Sequence, residues 1–145
     1  MCNFLFADKT VKLGQPEMVL GVFPPPASVI LVEKIGLEKA EELILTGSVI
    51  TAEQGKSIGL IIDVFNDKAE LESGVNNFIE QHILTKSASS LRFGVKACRV
   101  KFNHILSNFL PMLETMYVTE LMNTRDANEG INSFLEKRKP VWQNN

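Results

Sequence analysis

Cysteine, histidine and net charge are all scarce in this sequence. Two cysteines, Cys2 and Cys98, among 145 residues set no disulfide framework, and a reducing, cytoplasmic compartment is the simplest expectation. Lys+Arg 15 against Asp+Glu 17 leaves a formal net charge of -2. Affinity for a phosphate backbone is built mainly from excess Lys and Arg, so a nucleic-acid binder would need a local basic stripe. Long apolar runs are missing too. The longest, such as 29–32 and 60–62, fall far below the ~20 residues that span a bilayer, and no basic region leads into an apolar signal core. There is no Gly-x-Ser-x-Gly elbow, no Gly-x-Gly-x-x-Gly and no phosphate loop, the usual signs of a serine hydrolase or a nucleotide-binding turn. His82 and His104 lie far apart and neither cysteine has a ligand at metal-site spacing, so no metal is expected.

What is present is an ordinary globular composition, 45% apolar and 22% charged, at a length that by itself fits one domain. The opening is unusual. Asn3-Phe4-Leu5-Phe6-Ala7 reads as a buried strand with no polar lead-in, which raises the expectation that the chain begins partway through a fold. Up to residue 66 short strands alternate with short helices. Residues 11–13 are extended, Pro24-Pro25-Pro26 reads as a rigid polyproline segment, and Ser28 is placed to cap an apolar helix ending at Gly36. A helix over 38–46 stops at Gly47. Thr51 and Gln54 form a capping box for a helix stopped by Gly59, and 60–65 is an apolar, β-branched strand.

From residue 67 the apolar period becomes helical. Leu71, Val75, Phe78, Ile79 and Ile83 share one face, as do Leu91, Val95, Cys98, Phe102, Leu106 and Phe109. Pro111 is expected to interrupt that run, a third helix carries Leu113, Met116, Tyr117 and Leu121, and a fourth starts with Asp126 as N-cap and Glu129 three residues on. Apolar faces of this extent need a cover, from one another, from the first half or from a partner subunit, so oligomerisation is expected. The division into two parts is therefore 1–66 and 67–145.

Few residues promise chemistry. Cys98 sits on an apolar helix face, where core packing is the simpler role than nucleophile. Arg92, Lys96 and Arg99 form either a basic stripe for phosphate or a solvated helix face. Glu17 differs, because it follows Pro16 in a short turn leading into Met18-Val19-Leu20. Semi-apolar surroundings there would disfavour the charged carboxylate and suit it to general acid–base work; the alternative is a carboxylate that caps nearby backbone.

Gly14-Gln15-Pro16-Glu17-Met18-Val19-Leu20-Gly21 resembles the enoyl-CoA hydratase/isomerase (crotonase) superfamily. Ile35-Gly36, Lys39-Ala40-Glu41-Glu42-Leu43, Leu45-Thr46-Gly47, Thr51-Ala52-Glu53 and Gly59-Leu60-Ile61 follow the family's order and spacing. Asn128-Glu129-Gly130 and Ser133-Phe134-Leu135-Glu136-Lys137-Arg138-Lys139-Pro140-Val141-Trp142 continue it to nearly the whole chain. The resemblance implies an α+β, mainly α fold: the C-terminal part of a ββα spiral core, then a helical domain that makes trimers or dimers of trimers.

The resemblance also implies hydration of a 2-enoyl-CoA by two glutamates around one water, with two backbone N–H groups holding the thioester oxygen. Glu17 matches the second glutamate, which serves the α-carbon. Phe134 and Lys137 match positions that contact the adenosine and phosphate end of coenzyme A, often across a subunit boundary. Coenzyme A enters as part of the substrate, and no permanently bound cofactor is implied. Where common hydratases are glycine-rich after Gly21, this chain has Val22-Phe23-Pro24-Pro25-Pro26-Ala27-Ser28. Val22, Pro24 and Pro25 thereby form a stiff wall of the acyl pocket. That segment and Ser87-Ala88-Ser89-Ser90-Leu91-Arg92 look closer to cyclic dienoyl-CoA hydratases of anaerobic benzoyl-CoA degradation, the cyclohexa-1,5-diene-1-carbonyl-CoA type, whose substrate is a flat ring. The family's oxyanion segments and first glutamate precede the strand that 3–7 matches, so little turnover is expected of these 145 residues alone. The competing expectations are a non-catalytic CoA-binding or assembly fragment and a crotonase-fold enoyl-CoA isomerase that works with one base.

Overall fold

The protein is described from a computed structural model covering residues 2–145. In chain order its elements are β1 (Phe6–Asp8), β2 (Lys12–Gly14), a single 3₁₀ turn (Pro16–Leu20), α1 (Pro25–Ile35), α2 (Leu37–Thr46), β3 (Val49–Thr51) and α3 (Ala52–Ser57). Next come β4 (Asp63–Phe65), α4 (Lys68–Phe78) with a π-helical turn (Ile79–Ile83), α5 (Ala88–Thr119), a second 3₁₀ turn (Leu121–Asn123) and α6 (Arg125–Leu135). β1 lies parallel to β4, with Phe6 opposite Asp63 and Asp8 opposite Phe65, and β2 pairs with β3. The class is α+β, mainly α.

Packing divides the chain into two compact units, Met1–Leu13 with Ile50–Asn103 and Gly14–Val49 with His104–Asn145. They interleave along the sequence, so a boundary at 66/67 falls inside the first of them. That unit closes on Ala7, Ala52 and Ile61, with Val11, Leu13 and Val64 packed against them. Its capping box forms as the sequence dictates: Thr51 Oγ1 accepts from Gln54 N at 3.2 Å, and Gln54 Oε1 accepts from Thr51 N at 2.8 Å. The strand over 60–65 is shorter than expected. Leu60 N and Ile61 N donate to the Gly55 carbonyl at 2.9 and 3.1 Å, closing off α3; Ile62 N reaches the Leu5 carbonyl at 2.8 Å, and the regular strand is Asp63–Phe65. Residues 3–7 also contribute less strand than expected, since β1 starts at Phe6 and both Phe4 and Leu5 are exposed. Phe4 and Phe6 instead meet Phe78 edge-on, at centroid distances of 5.1 and 5.2 Å.

The second unit buries Val22, Val29, Leu31, Ala40, Leu43, Ile44 and Ala127. Gly47 ends α2 in the left-handed region, φ 63°, as expected. The proline run is not a polyproline segment. Pro24 is the N-cap of α1, and Pro25 and Pro26 fill its first turn, where a missing N–H costs nothing and φ is already helical. Ser28 therefore lies inside α1, its hydroxyl donating to the Pro24 carbonyl at 2.9 Å, and is not the cap. Pro111 does not interrupt either: α5 runs through it for 32 residues. One lost N–H in so long a ladder is outweighed by the bonds on both sides. The N-cap of α6 is Thr124, whose Oγ1 accepts from Ala127 N at 3.1 Å, and not Asp126.

Much of the α5 surface is uncovered in the single chain. Phe93 is 71% exposed, and Val100, Met112 and Val118 are similarly open. Cys98, expected in a core, is exposed and free. No helix among the described residues is long and apolar enough to cross a membrane.

Candidate active site

The residues expected to serve catalysis, the acyl pocket and coenzyme A all fall in the second unit. Glu17 is the second residue of the Pro16–Leu20 turn. Pro16 fixes φ at the start of that turn, and Gly21 closes it at φ 71°, a backbone that favours glycine. Gly21 N donates to the Met18 carbonyl at 3.1 Å and Val22 N to the Glu17 carbonyl at 3.3 Å. The backbone of Glu17 is thus tied directly to Val22, which is buried, as is Pro24, while Pro25 is half-buried.

The Glu17 side chain has no such ties. Its Oε2 is buried and without a hydrogen-bond partner, the one such side-chain atom among the described residues. A structural carboxylate that capped backbone would have its donors here. Buried polar atoms are nearly always satisfied, so an orphaned carboxyl oxygen is an exception in this fold. That observation decides against the capping alternative.

Phe134 is 64% exposed and Lys137 is exposed as well, both at the C-terminal end of α6. Lys137 adopts φ 55°, a left-handed backbone that costs a non-glycine residue about 1–2 kcal/mol. Glycine is the usual residue just beyond a helix end, and here a lysine holds that position. Residues 138–144 form a segment that sequence reading missed. After Lys137 the chain turns back along α6, and Arg138 places both terminal nitrogens on the Glu129 carboxylate, Nη2 to Oε2 at 2.7 Å. Glu129 Oε1 also accepts from Val141 N at 2.9 Å, while Asp126 takes Gln143 N at 2.7 Å and Asn144 N at 2.8 Å. Asp126 and Glu129, read in sequence as a cap and its partner, are instead anchors for this segment. The spacing Asp126-x-x-Glu129, which puts both carboxylates on one helix face, was the available signal.

An open cleft of about 490 Å³ is lined by Met18, Val19, Gly21, Asp126, Pro140 and Trp142, among others. Glu17, Val22, Pro24 and Pro25 are not part of its lining. Among the described residues no three His, Cys, Asp or Glu side chains gather to hold a metal ion.

The Arg138 guanidinium, and then the Val141 N–H, pull the Glu129 carboxyl down to about 2. Because this folded-state value lies below the ordinary carboxylate value of about 4.3, the clamp contributes fully above that ordinary value and is lost as pH falls from there through about 2. The Val141 amide shift, followed by NMR through an acid titration, is expected to move with a midpoint near 2 and to lose that transition in Glu129→Gln. A midpoint in the ordinary carboxylate range would show that the pairing is absent in solution.

The family profile described as Enoyl-CoA hydratase/isomerase matches residues 1–145. Cyclohexa-1,5-dienecarbonyl-CoA hydratase of Thauera aromatica is 42% identical over 142 residues, 98% of this chain and 54% of that protein. The 2,3-dehydroadipyl-CoA hydratase of Escherichia coli K12 is 30% identical over 144 residues, 99% of this chain and 55% of its own length. Among solved structures, a carnitinyl-CoA hydratase from Mycobacterium avium superposes with a TM-score of 0.81 at 27% identity, covering 99% of this chain and 55% of that one. The chain spans about half the length of the curated relatives it matches. With the family profile matching throughout and the solved hydratase sharing its fold, this chain belongs to the enoyl-CoA hydratase/isomerase family, and its fold is of the crotonase type.

Proposed function

We propose that this chain supplies the Glu17 part of an acyl-CoA hydratase site that adds water across the double bond of an enoyl-CoA or, preferentially, a cyclic dienoyl-CoA. The single observation that carries this reading is the buried, unpartnered Oε2 of Glu17. In the reaction, water oxygen joins the β-carbon as a proton joins the α-carbon, and negative charge gathers on the thioester oxygen in between. Glu17 handles the proton at the α-carbon. Val22, Pro24 and Pro25, held next to the turn, wall the acyl group, and a stiff wall of prolines suits a flat ring better than a mobile chain. Phe134 and Lys137 contact the adenosine and phosphate end of coenzyme A. A mobile ammonium meets a phosphate without strict geometry, and the exposure of both side chains leaves them free to do so. Coenzyme A arrives with the substrate, and no resident cofactor is needed.

The exposed apolar side chains of α5 support a homo-oligomer, a trimer or a dimer of trimers. The reading places the protein in the cytoplasm, in the degradation of aromatic compounds. Enoyl-CoA isomerisation is the second reading, because a single unpartnered carboxyl can serve as its one base.

The test is direct. The native protein is expected to hydrate cyclohexa-1,5-diene-1-carbonyl-CoA faster than crotonyl-CoA, with loss of the conjugated absorbance and formation of a hydroxyacyl-CoA by mass spectrometry. Double-bond migration without gain of water would favour the isomerase, and no change in either thioester would sink both readings.

A further inference from the structure

The segment after α6 ends its course on the Glu17 turn. Between its anchors on Glu129 and Asp126 lies Trp142. A Cβ built on Gly21 would sit 3.1 and 3.2 Å from Cζ3 and Cη2 of the Trp142 ring, and one on Gly130 would sit 3.1 Å from Cη2. The indole therefore lies directly against the two glycines. Gly21 is the residue whose N–H closes the turn that carries Glu17. Trp142 remains 42% exposed, so this contact is not simply burial of a large side chain in a core. Its backbone is fixed on either side, by the Val141 amide on Glu129 and the Gln143 and Asn144 amides on Asp126. Three hydrogen bonds to two carboxylates are an elaborate way to hold one exposed tryptophan unless its place matters.

We propose that residues 138–144 act as a strap, and that Trp142 is a positioning residue that holds the Pro16–Leu20 turn, and with it the Glu17 carboxyl, in register for proton transfer at the α-carbon. The inference rests on the hydratase reading for its kinetic consequence but on geometry alone for the contact. The role assigned to the side chain is through the backbone it packs against. It bears on the backbone four residues after Glu17, and the carboxyl follows because the turn between them is short and hydrogen-bonded.

The native protein tests this in two arms. In the first, hydrogen–deuterium exchange of peptides covering 16–22 is expected to quicken in Trp142→Ala while α1 and α2 exchange as before. In the second, Trp142→Ala is expected to lower kcat about 10- to 100-fold, the scale of a small misplacement of a reacting group, with KM for the acyl-CoA unchanged. Trp142→Phe, which keeps a ring on both glycines, is expected to restore most of kcat. Should Trp142→Ala not fold, Asp126→Asn weakens two of the three anchors without opening the apolar contact and is expected to give the same split in smaller measure. Unchanged exchange over 16–22, or an unchanged kcat in an active protein, would overturn the strap, as would equal losses through KM. Absence of turnover in the wild type would defeat the hydratase reading instead, and the exchange arm would still decide whether Trp142 orders the turn.

Discussion

Replacing Glu17 by Gln in the native protein is expected to reduce kcat for hydration by roughly a hundred- to ten-thousand-fold, the usual span for loss of a general acid–base group, while acyl-CoA binding stays intact. The substitution keeps the shape of the side chain, so the turn has no steric reason to move. Its backbone ties, Val22 N to the Glu17 carbonyl and Gly21 N to the Met18 carbonyl, do not involve the carboxyl. The one new demand is electrostatic: an amide NH₂ placed where Oε2 lacks a partner would be an unsatisfied buried donor, at about 1–3 kcal/mol. The substituted side chain avoids that by turning its amide oxygen inward, so stability should change little. What it cannot do is give or take a proton. The residues proposed for the coenzyme A end, Phe134 and Lys137, lie at the end of a different element, which is why binding and turnover should separate. Stopped-flow turnover together with calorimetric titration of a saturated acyl-CoA checks both halves, and unchanged turnover would remove Glu17 from the mechanism.

The parts of this fold that were legible in sequence are those fixed by residues a few positions apart. The Thr51–Gln54 capping box, the left-handed Gly47 and the Pro16-Glu17 turn each satisfy their own backbone groups locally, so composition and spacing suffice. Errors arise where a residue type has two local uses. Prolines 24–26 serve equally as polyproline or as a helix N-terminus, and the apolar period that continues past Val29 selects the second. Asp126 and Thr124 both cap helices well; Thr124 takes the position because Asp126 is occupied by amides seventeen and eighteen residues away. Contacts at that separation leave no periodic trace. The same holds for Trp142 and the two glycines it lies against; the apolar Met18-Val19-Leu20 pointed to semi-apolar surroundings for Glu17, but not to an Oε2 without a partner. Glu17 stood out in sequence because its Pro16-Glu17 turn is local.

Gly130→Ala is expected to be the most disruptive single methyl group in the second unit. A Cβ on Gly130 would lie 1.9 Å from the Leu20 carbonyl oxygen and 2.5 Å from its carbon. Both are backbone atoms of the turn that carries Glu17, so no side chain can rotate away to relieve the clash. Alanine would otherwise favour a helix interior by roughly 0.5–1 kcal/mol over glycine, and α6 would gain that much if the site were open. Overpacking costs about 1–3 kcal/mol where neighbours can yield; against fixed backbone the upper end or beyond is expected. The net effect is therefore a loss of stability, with α6 and the Pro16–Leu20 turn forced apart. Thermal unfolding should show a lowered Tm, and hydration should fall even at temperatures where the protein is folded, because the displaced backbone carries Glu17 with it. Gly94→Ala on α5, where a Cβ meets nothing within 4 Å in the chain, is the control for a helical glycine without this constraint. If Gly130→Ala melts at or above the wild-type Tm with full activity, the close approach of α6 to the Leu20 carbonyl does not exist in solution.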